Sequence, residues 1–321
     1  MKILITGGLG YIGSHIAYKL KRKAIIIDNC INSNLDFKKK LPLATVYKKR
    51  ISKTSLNYIF QKHNDIKAVI HLAGLKSVNE SINNPLKYYD YNFNSSLILL
   101  EALEKYRIKN LIFSSSATVY GNTNKNPKKE TDQLTSTNPY GSSKIMIEKL
   151  IDEYAYSSNN FSCISLRYFN PIGANLEAGL SDKPMGKPLN LMPILIESII
   201  NKKKLIVHGH NYNTKDGTCI RDYIHVDDLA DVHILSLYKL KKFKGHKKIN
   251  IGLGKGISVL DLIKVFEDAN NLKVDFKFGK RRDGDAAVSY ADNRNAIKFL
   301  KWKPKKNYSQ MCYDSWMSYQ K

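Results

Sequence analysis

The chain has 321 residues, 43% of them hydrophobic, and carries 52 Lys and Arg against 28 Asp and Glu for a formal net charge of +24. Such a length suits one large domain or two smaller ones with a substantial core. No apolar run approaches the ~18 residues of a membrane span, and Cys30, Cys163, Cys219 and Cys312 form no CxxC pair of the kind that marks a zinc site. The basic residues fall in short runs at 38–40, 202–204 and 247–248, not in one stripe interleaved with aromatics. This favours a solvated surface over a nucleic-acid partner.

The first apolar stretch, "KILIT" at 2–6, is too short for a signal peptide and reads as the opening strand of a cytoplasmic protein. "GGLGYIGSHIAYKLKRK" follows as turn and helix, then "AIIIDN" as a second strand. "KAVIHLAG" at 67–74 and "KNLIFSSS" at 109–116 are further β-branched apolar runs. Between them, "NPLKYYDYNFNSSLILLEALEKY" has helical spacing. "FSCISLRYFNP" at 161–171 is another strand. Strands apolar on both faces, alternating with helices, predict an α/β fold with a doubly wound parallel sheet over residues 1–170. Beyond residue 170 a Gly- and Pro-rich loop leads to "NLMPILIESII", "KLIVHG", "DDLADVHILSLYKL" and "ISVLDLIKVFEDA". Residues 171–321 read as a smaller mixed α/β domain, with some segments returning to the first.

"TGGLGYIG" places Gly7, Gly10 and Gly13 at intervals of three between a strand and a helix. Glycines there let the backbone approach a pyrophosphate, and the helix N-terminus offers free N–H groups. Asp28 ends the next strand, where a carboxylate accepts from ribose hydroxyls and repels a 2′-phosphate, favouring NAD. Tyr140 and Lys144, in "NPYGSSK", share one helix face, with Asn138 and Pro139 starting that helix. An ammonium beside a phenol, joined by a cationic nicotinamide, is expected to lower the phenol from ~10 and make Tyr140 a general base. Ser114, Ser115 and Ser116 end a strand, where α/β sheets bind ligands, so a serine hydroxyl is expected to meet a substrate oxygen.

These glycines, Ser116 and Tyr140-x-x-x-Lys144 resemble the extended short-chain dehydrogenase/reductase family. "AGLKSVNES", "RYFNPIGA", "NLMP", "RDYIHVDDLAD" and "RRDGD" extend the resemblance over nearly the whole chain, specifically to its epimerases of UDP-hexoses. The resemblance implies a Rossmann domain with a nucleotide-sugar domain, a homodimer, and NAD as cofactor. It implies interconversion of UDP-galactose and UDP-glucose in galactose metabolism: oxidation at C4, turning of the 4-keto sugar, and re-reduction. Tyr140, Lys144 and Ser116 are implied as catalytic. Contacts to NAD are implied at Tyr11, Ile12, Asn29, Cys30, Asn32, Ser33 and Ile51. Leu72, Ala73, Gly74, Leu75, Lys76, Asn92 and Phe169, with Tyr140 and Lys144, complete that implied set. The UDP-sugar is implied to meet Asn170, Asn190, Leu191, Arg221, Arg282, Asp285 and Ser289, with the arginines neutralising the diphosphate. No metal is implied, Asp227 and Asp228 being read as carboxylates at a helix start.

The chain departs from the family pattern in places. Ala117 and Thr118 stand where related dehydratases carry an Asp–Glu pair for elimination. Their absence favours epimerisation, with reduction or decarboxylation of a nucleotide sugar as the alternative. Arg50, in "YKKRIS", stands where the family places an Asp against the adenine. A guanidinium has no acceptor, so a looser hold on NAD is expected. The connection after the first helix lacks the usual glycine. Ser289 is small at the position beside the sugar's C2 substituent, so an N-acetylated UDP-sugar is expected to fit as well.

Overall fold

Seven parallel strands form the central sheet of the computed structural model, which describes residues 1–33, 35–123, 125–282 and 284–320. They are β1 (Lys2–Thr6), β2 (Ala24–Asp28), β3 (Thr45–Lys48), β4 (Ile66–His71), β5 (Asn110–Ser116), β6 (Ser162–Tyr168) and β7 (Gly245–Ile251). Their order is β7-β6-β5-β4-β1-β2-β3. The chain winds outward from β1 in both directions, so a crevice opens beyond the C-terminal ends of β1 and β4.

The alternation along each strand explains why the runs are apolar throughout. Ile3, Ile5, Ile26 and Ile112 face one side of the sheet, where they meet Ile16 and Ala17 of α1 (Tyr11–Leu20). Leu4, Ile25, Val69 and Phe113 face the other side. That side is covered by Leu56 and Ile59 of α2 (Lys53–Lys62), Leu99 and Leu103 of α3 (Ser95–Lys105), and Ile147 and Ile151 of α4 (Pro139–Ser157).

Two segments from beyond residue 170 belong to this layer. The helix "DDLADVHILSLYKL", read from the sequence as part of the smaller domain, is α5 (Val226–Leu240) and packs Leu229, Ala230 and Val232 into the same core as α1. Strand β7 extends the sheet at the edge of β6. Local periodicity specifies a helix and a strand but not the sheet they join. A separate core gathers Met192, Leu195, Leu205, Val207, Leu262 and Phe266. Around it, strand Ile220–Arg221 lies between Ile257–Ser258 and Val288–Ser289, which puts Arg221 opposite Ser289. The missing glycine after α1 has a backbone consequence. Lys21 sits at φ 52 and ψ −128, a region that suits glycine and costs another residue roughly 1–3 kcal/mol.

Candidate active site

The glycine loop is built for close approach. Gly7 has φ +70, and a Cβ there would lie 2.8 Å from the Ala73 nitrogen. A Cβ on Gly13 would lie 2.3 Å from the Gly7 carbonyl oxygen. Helix α1 starts after Gly10 with no capping side chain, so its first N–H groups stay free for an anion. Asp28 is buried and fixed: Oδ2 accepts from the Leu9 N–H at 3.0 Å, and Oδ1 accepts from the Cys30 N–H at 2.8 Å and from Ser33 Oγ at 2.6 Å. A cradle without Cβ atoms, a helix N-terminus and an acceptor-only carboxylate together fit NAD.

One cleft of about 590 Å³ joins most of the anticipated residues. Gly7, Gly10, Tyr11, Ile12, Gly13, Asp28, Asn29, Asn32, Ser33, Ile51, Leu72, Ala73, Gly74, Leu75, Lys76 and Phe169 line it. So do Ser116, Tyr140, Lys144, Asn170, Asn190, Leu191, Arg221, Arg282, Asp285 and Ser289. Two anticipated cofactor residues do not face it. Cys30 has φ 60, and its side chain packs on the core beneath α1. Asn92 lies in the π-helix Tyr89–Asn94 and is buried. Its amide accepts from the Leu75 N–H at 2.8 Å and donates to the Leu75 carbonyl and to Ser143 Oγ, each at 3.1 Å. Asn92 therefore braces the loop after β4 against α4.

The proposed acid/base residues sit where α4 meets the end of β5. Asn138 caps α4 by accepting from the Gly141 N–H at 2.9 Å, and Pro139 occupies the first turn. Lys144 Nζ donates to the Ser114 carbonyl at 2.7 Å and stands 5.9 Å from the centre of the Tyr140 ring. Ser116 Oγ accepts from the Thr118 N–H at 3.2 Å and the Thr118 hydroxyl at 2.9 Å, leaving its own hydrogen to donate elsewhere. Thr118 was read from the sequence only as a missing carboxylate; its second role needed the turn geometry.

The expected lowering of the phenol does not occur in the protein alone. Burial raises Tyr140 above its ordinary value, and a hydrogen bond from Ser116 opposes this only in part. Burial also lowers Lys144 to about 8. Lys144 Nζ bonds the Ser114 carbonyl, and for Tyr140 desolvation is the largest influence.

Arg50 is held by its own neighbours: Nη2 pairs with Asp90 Oδ2 at 2.5 Å, and the guanidinium stacks 4.4 Å from the centre of the Tyr91 ring. At the other end, Asp285 lies between Arg221 at 3.5 Å and Arg282 at 2.9 Å; Asp283 of the same motif lies outside the described residues. Asp227 and Asp228 occupy the first turn of α5 behind the capping residue His225. Asp222 was not anticipated. It is buried, and its carboxylate accepts from the N–H groups of Leu253 at 2.7 Å and of Gly254 and Ala291 at 3.0 Å each. These bonds pin the segments that carry Arg221 and Ser289. In "CIRDY" the residue reads as an ordinary charged neighbour, so no sequence signal marks it.

Another cluster imitates a catalytic site without serving as one. Ser165 Oγ lies 2.6 Å from His246 Nε2, and His246 Nδ1 lies 2.8 Å from Asp152. That is the connectivity of a hydrolytic triad, but Ser165 is fully buried and Lys248 also pairs with Asp152. A nucleophile needs access to its substrate, so this is a core hydrogen-bond chain.

The sheet order and the cleft across its switch point define a dinucleotide-dependent enzyme of the short-chain dehydrogenase/reductase type. The chain belongs to the NAD-dependent epimerase/dehydratase family, whose model matches residues 3–252. It is 41% identical to the UDP-glucose 4-epimerase of Bacillus subtilis, over 98% of this chain and 96% of that one. It is similar to the solved UDP-glucose-4-epimerase from Stenotrophomonas maltophila with bound NAD and formylated UDP-arabinopyranose: TM-score 0.96, 38% identity, 100% of this chain and 98% of that one. The Bifidobacterium longum UDP-glucose 4-epimerase in complex with NAD+ and UDP gives a TM-score of 0.93 at 37% identity, covering 100% and 98%.

Proposed function

We propose that this protein is an isomerase that interconverts UDP-galactose and UDP-glucose by inverting C4 of the hexose, with NAD as cofactor. The observation that carries the reading is one cleft lined by the glycine loop and Asp28, by Tyr140, Lys144 and Ser116, and by Arg221 and Arg282. When bound, NAD would be held by the glycine loop and Asp28 and would supply the acceptor and donor for the C4 hydride. Tyr140 takes the proton from O4, and Ser116 donates a hydrogen bond to the same oxygen. Tyr140 takes that proton as the phenolate and becomes the neutral phenol, and Lys144 holds the positive charge that favours the phenolate beforehand. Arg221 and Arg282 grip the diphosphate while the 4-keto sugar turns its other face. Tyr140 then gives the proton back. Ala117 brings no carboxylate, and Thr118 spends its hydroxyl on Ser116, so water elimination lacks the acid and base it needs. NMR of UDP-galactose with the purified protein, without added NAD, should show UDP-glucose growing in with no net redox change. An unaltered sugar, or net reduction of NAD, would sink the proposal.

A second substrate follows from Ser289, a small side chain lining the cleft opposite Arg221. It leaves room for an N-acetyl group, so UDP-N-acetylglucosamine should also turn over. Ser289→Tyr should lose that activity and keep UDP-galactose turnover. A wild-type protein with no detectable activity on the acetylated sugar refutes this.

The homodimer is proposed on the exposed apolar residues Ile82, Leu86 and Met146. They lie on helices Val78–Asn83, Pro85–Tyr88 and α4, which pack together. Light scattering at the monomer mass would reject it. A cytoplasmic location accords with four cysteines that are all free; recovery in a secreted fraction would count against it.

A further inference from the structure

Helix α4 carries a third polar residue on the face of Tyr140 and Lys144. Glu148 stands one turn beyond Lys144 at the same four-residue interval and is 2% exposed. The last three residues of β5 each meet one member of this row. Ser116 is the side chain that favours the Tyr140 phenolate, the Ser114 carbonyl accepts from Lys144 Nζ, and Ser115 Oγ donates to Glu148 Oε1 at 2.5 Å. Arg167 of β6, in register with Ser115 and also 2% exposed, grips the same carboxylate with a two-pronged contact. Its Nε lies 3.0 Å from Oε1, and its Nη2 lies 2.6 Å from Oε2. Arg167 Nη1 donates to Tyr120 Oη at 2.9 Å and to the Glu130 carbonyl at 3.2 Å. Tyr120 in turn donates to Asn250 of β7 at 2.6 Å.

A buried ion pair is weak evidence for stability, because well-packed apolar residues of equal volume usually serve as well. Its placement beneath the acid/base pair calls for a different account. We propose that Glu148 and Arg167 form a positioning unit for the acid/base pair: Glu148 ties α4 to β5 one turn below Lys144 and keeps Lys144 charged inside the protein. This rests on the Tyr140–Lys144 reading above. Burial lowers Lys144, and the Glu148 carboxylate is the charge that opposes it. The other titratable groups facing Lys144 are Tyr140 and His71 of β4, the latter lowered to about 3 by burial and hence neutral. Around Glu148 stand Arg167, Tyr120, Cys163 of β6 and His246 of β7, with Glu130 behind Tyr120 and Arg167. Arg167 sets the balance, since its two contacts keep Glu148 from drawing Lys144 off Ser114.

The sign of the pH effect follows. In Glu148→Gln, Lys144 loses the opposing carboxylate and feels an unpaired buried guanidinium. It then gives up its proton at lower pH, and the alkaline limb of the kcat profile moves down. The test measures UDP-galactose turnover against pH for NAD-loaded wild type, Glu148→Gln, Glu148→Gln/Arg167→Met and Ser115→Ala, each normalised to NAD content. Glu148→Gln should lose about tenfold or more in kcat at alkaline pH, with KM within about twofold and the limb lowered by about one pH unit. The double variant, which removes both charges, should bring the limb back toward wild type. Ser115→Ala keeps the ion pair but cuts the tie, so kcat should fall several-fold with the limb unmoved. An unmoved limb in Glu148→Gln overturns the charge role. If that variant does not fold, wild-type kcat in Ser115→Ala overturns the tie. Tyr140→Phe assayed alongside separates the failures: if it is inactive while Glu148→Gln and Ser115→Ala match wild type, this inference alone fails.

Discussion

Tyr140→Phe should reduce epimerisation by about 10²–10⁴-fold, the usual share of a positioned acid/base group, while UDP binding stays within a few-fold of wild type. The substitution removes one oxygen and little volume, so α4, its Asn138 cap and the Ser114–Lys144 contact persist. Ser116 would keep its two bonds from Thr118. What disappears is the acceptor for the proton on O4. Loss of kcat with an unchanged UDP affinity, read by isothermal titration beside the rate assay, is the expected signature. Near-normal turnover would refute the assignment of the base. The raised phenol adds a second readout. Burial disfavours the phenolate, so a nearby cation must offset it in the working enzyme. NAD-loaded protein should therefore show phenolate absorbance from Tyr140 at lower pH than protein stripped of NAD, and Tyr140→Phe should lack that difference.

Gly13→Ala should abolish most cofactor loading. Gly13 lies in the first turn of α1, outside the left-handed region, so the penalty is steric. The new Cβ would stand 2.3 Å from the Gly7 oxygen and 2.7 Å from the Gly8 Cα, both backbone atoms with no rotamer to swing aside. Either the loop or the helix start must move, and both frame the pyrophosphate site. Overpacking of this kind costs about 1–3 kcal/mol. NAD released on denaturation should fall at least about tenfold per mole of protein, in line with a lost close approach. Gly10→Ala is the internal comparison: its Cβ would stand 3.3 Å from the same oxygen, so the ligand-free fold should suffer less. Wild-type NAD content and melting temperature in Gly13→Ala would overturn this account of the loop.

Much of the architecture is legible in the chain because parallel strands covered on both faces must be apolar at every position. The apolar centres "ILI", "AIII" and "LIF" carry that mark, and each lies in a strand of the sheet. The cofactor loop is legible for a related reason: glycine spacing and a strand-end Asp are local features with a fixed geometric meaning. Cys30 and Asn92 are different. Both lie beside positions that do face the cleft, but a left-handed φ turns Cys30 to the core and a π-helix turns Asn92 under the loop. Neither backbone feature has a reliable composition. Glu148 and Arg167 are less legible still. A charged residue on a helix and another in a strand read as ordinary surface until β5 and β6 pair and bring Ser115 and Arg167 into register.

The sequence by itself determined the class of fold, the glycine-rich loop after β1, and the placing of Tyr140 and Lys144 on one helix face, because each depends on neighbours within a few residues or one βαβ unit. Only the tertiary structure decided which segments beyond residue 170 rejoin the sheet. It also decided which way the Tyr140 phenol shifts and what holds α4 in place. Those outcomes depend on burial and on contacts between residues far apart in the chain, as when Ser115, Glu148 and Arg167 meet beneath the cleft. Desolvation and strand register arise only once the layers have packed.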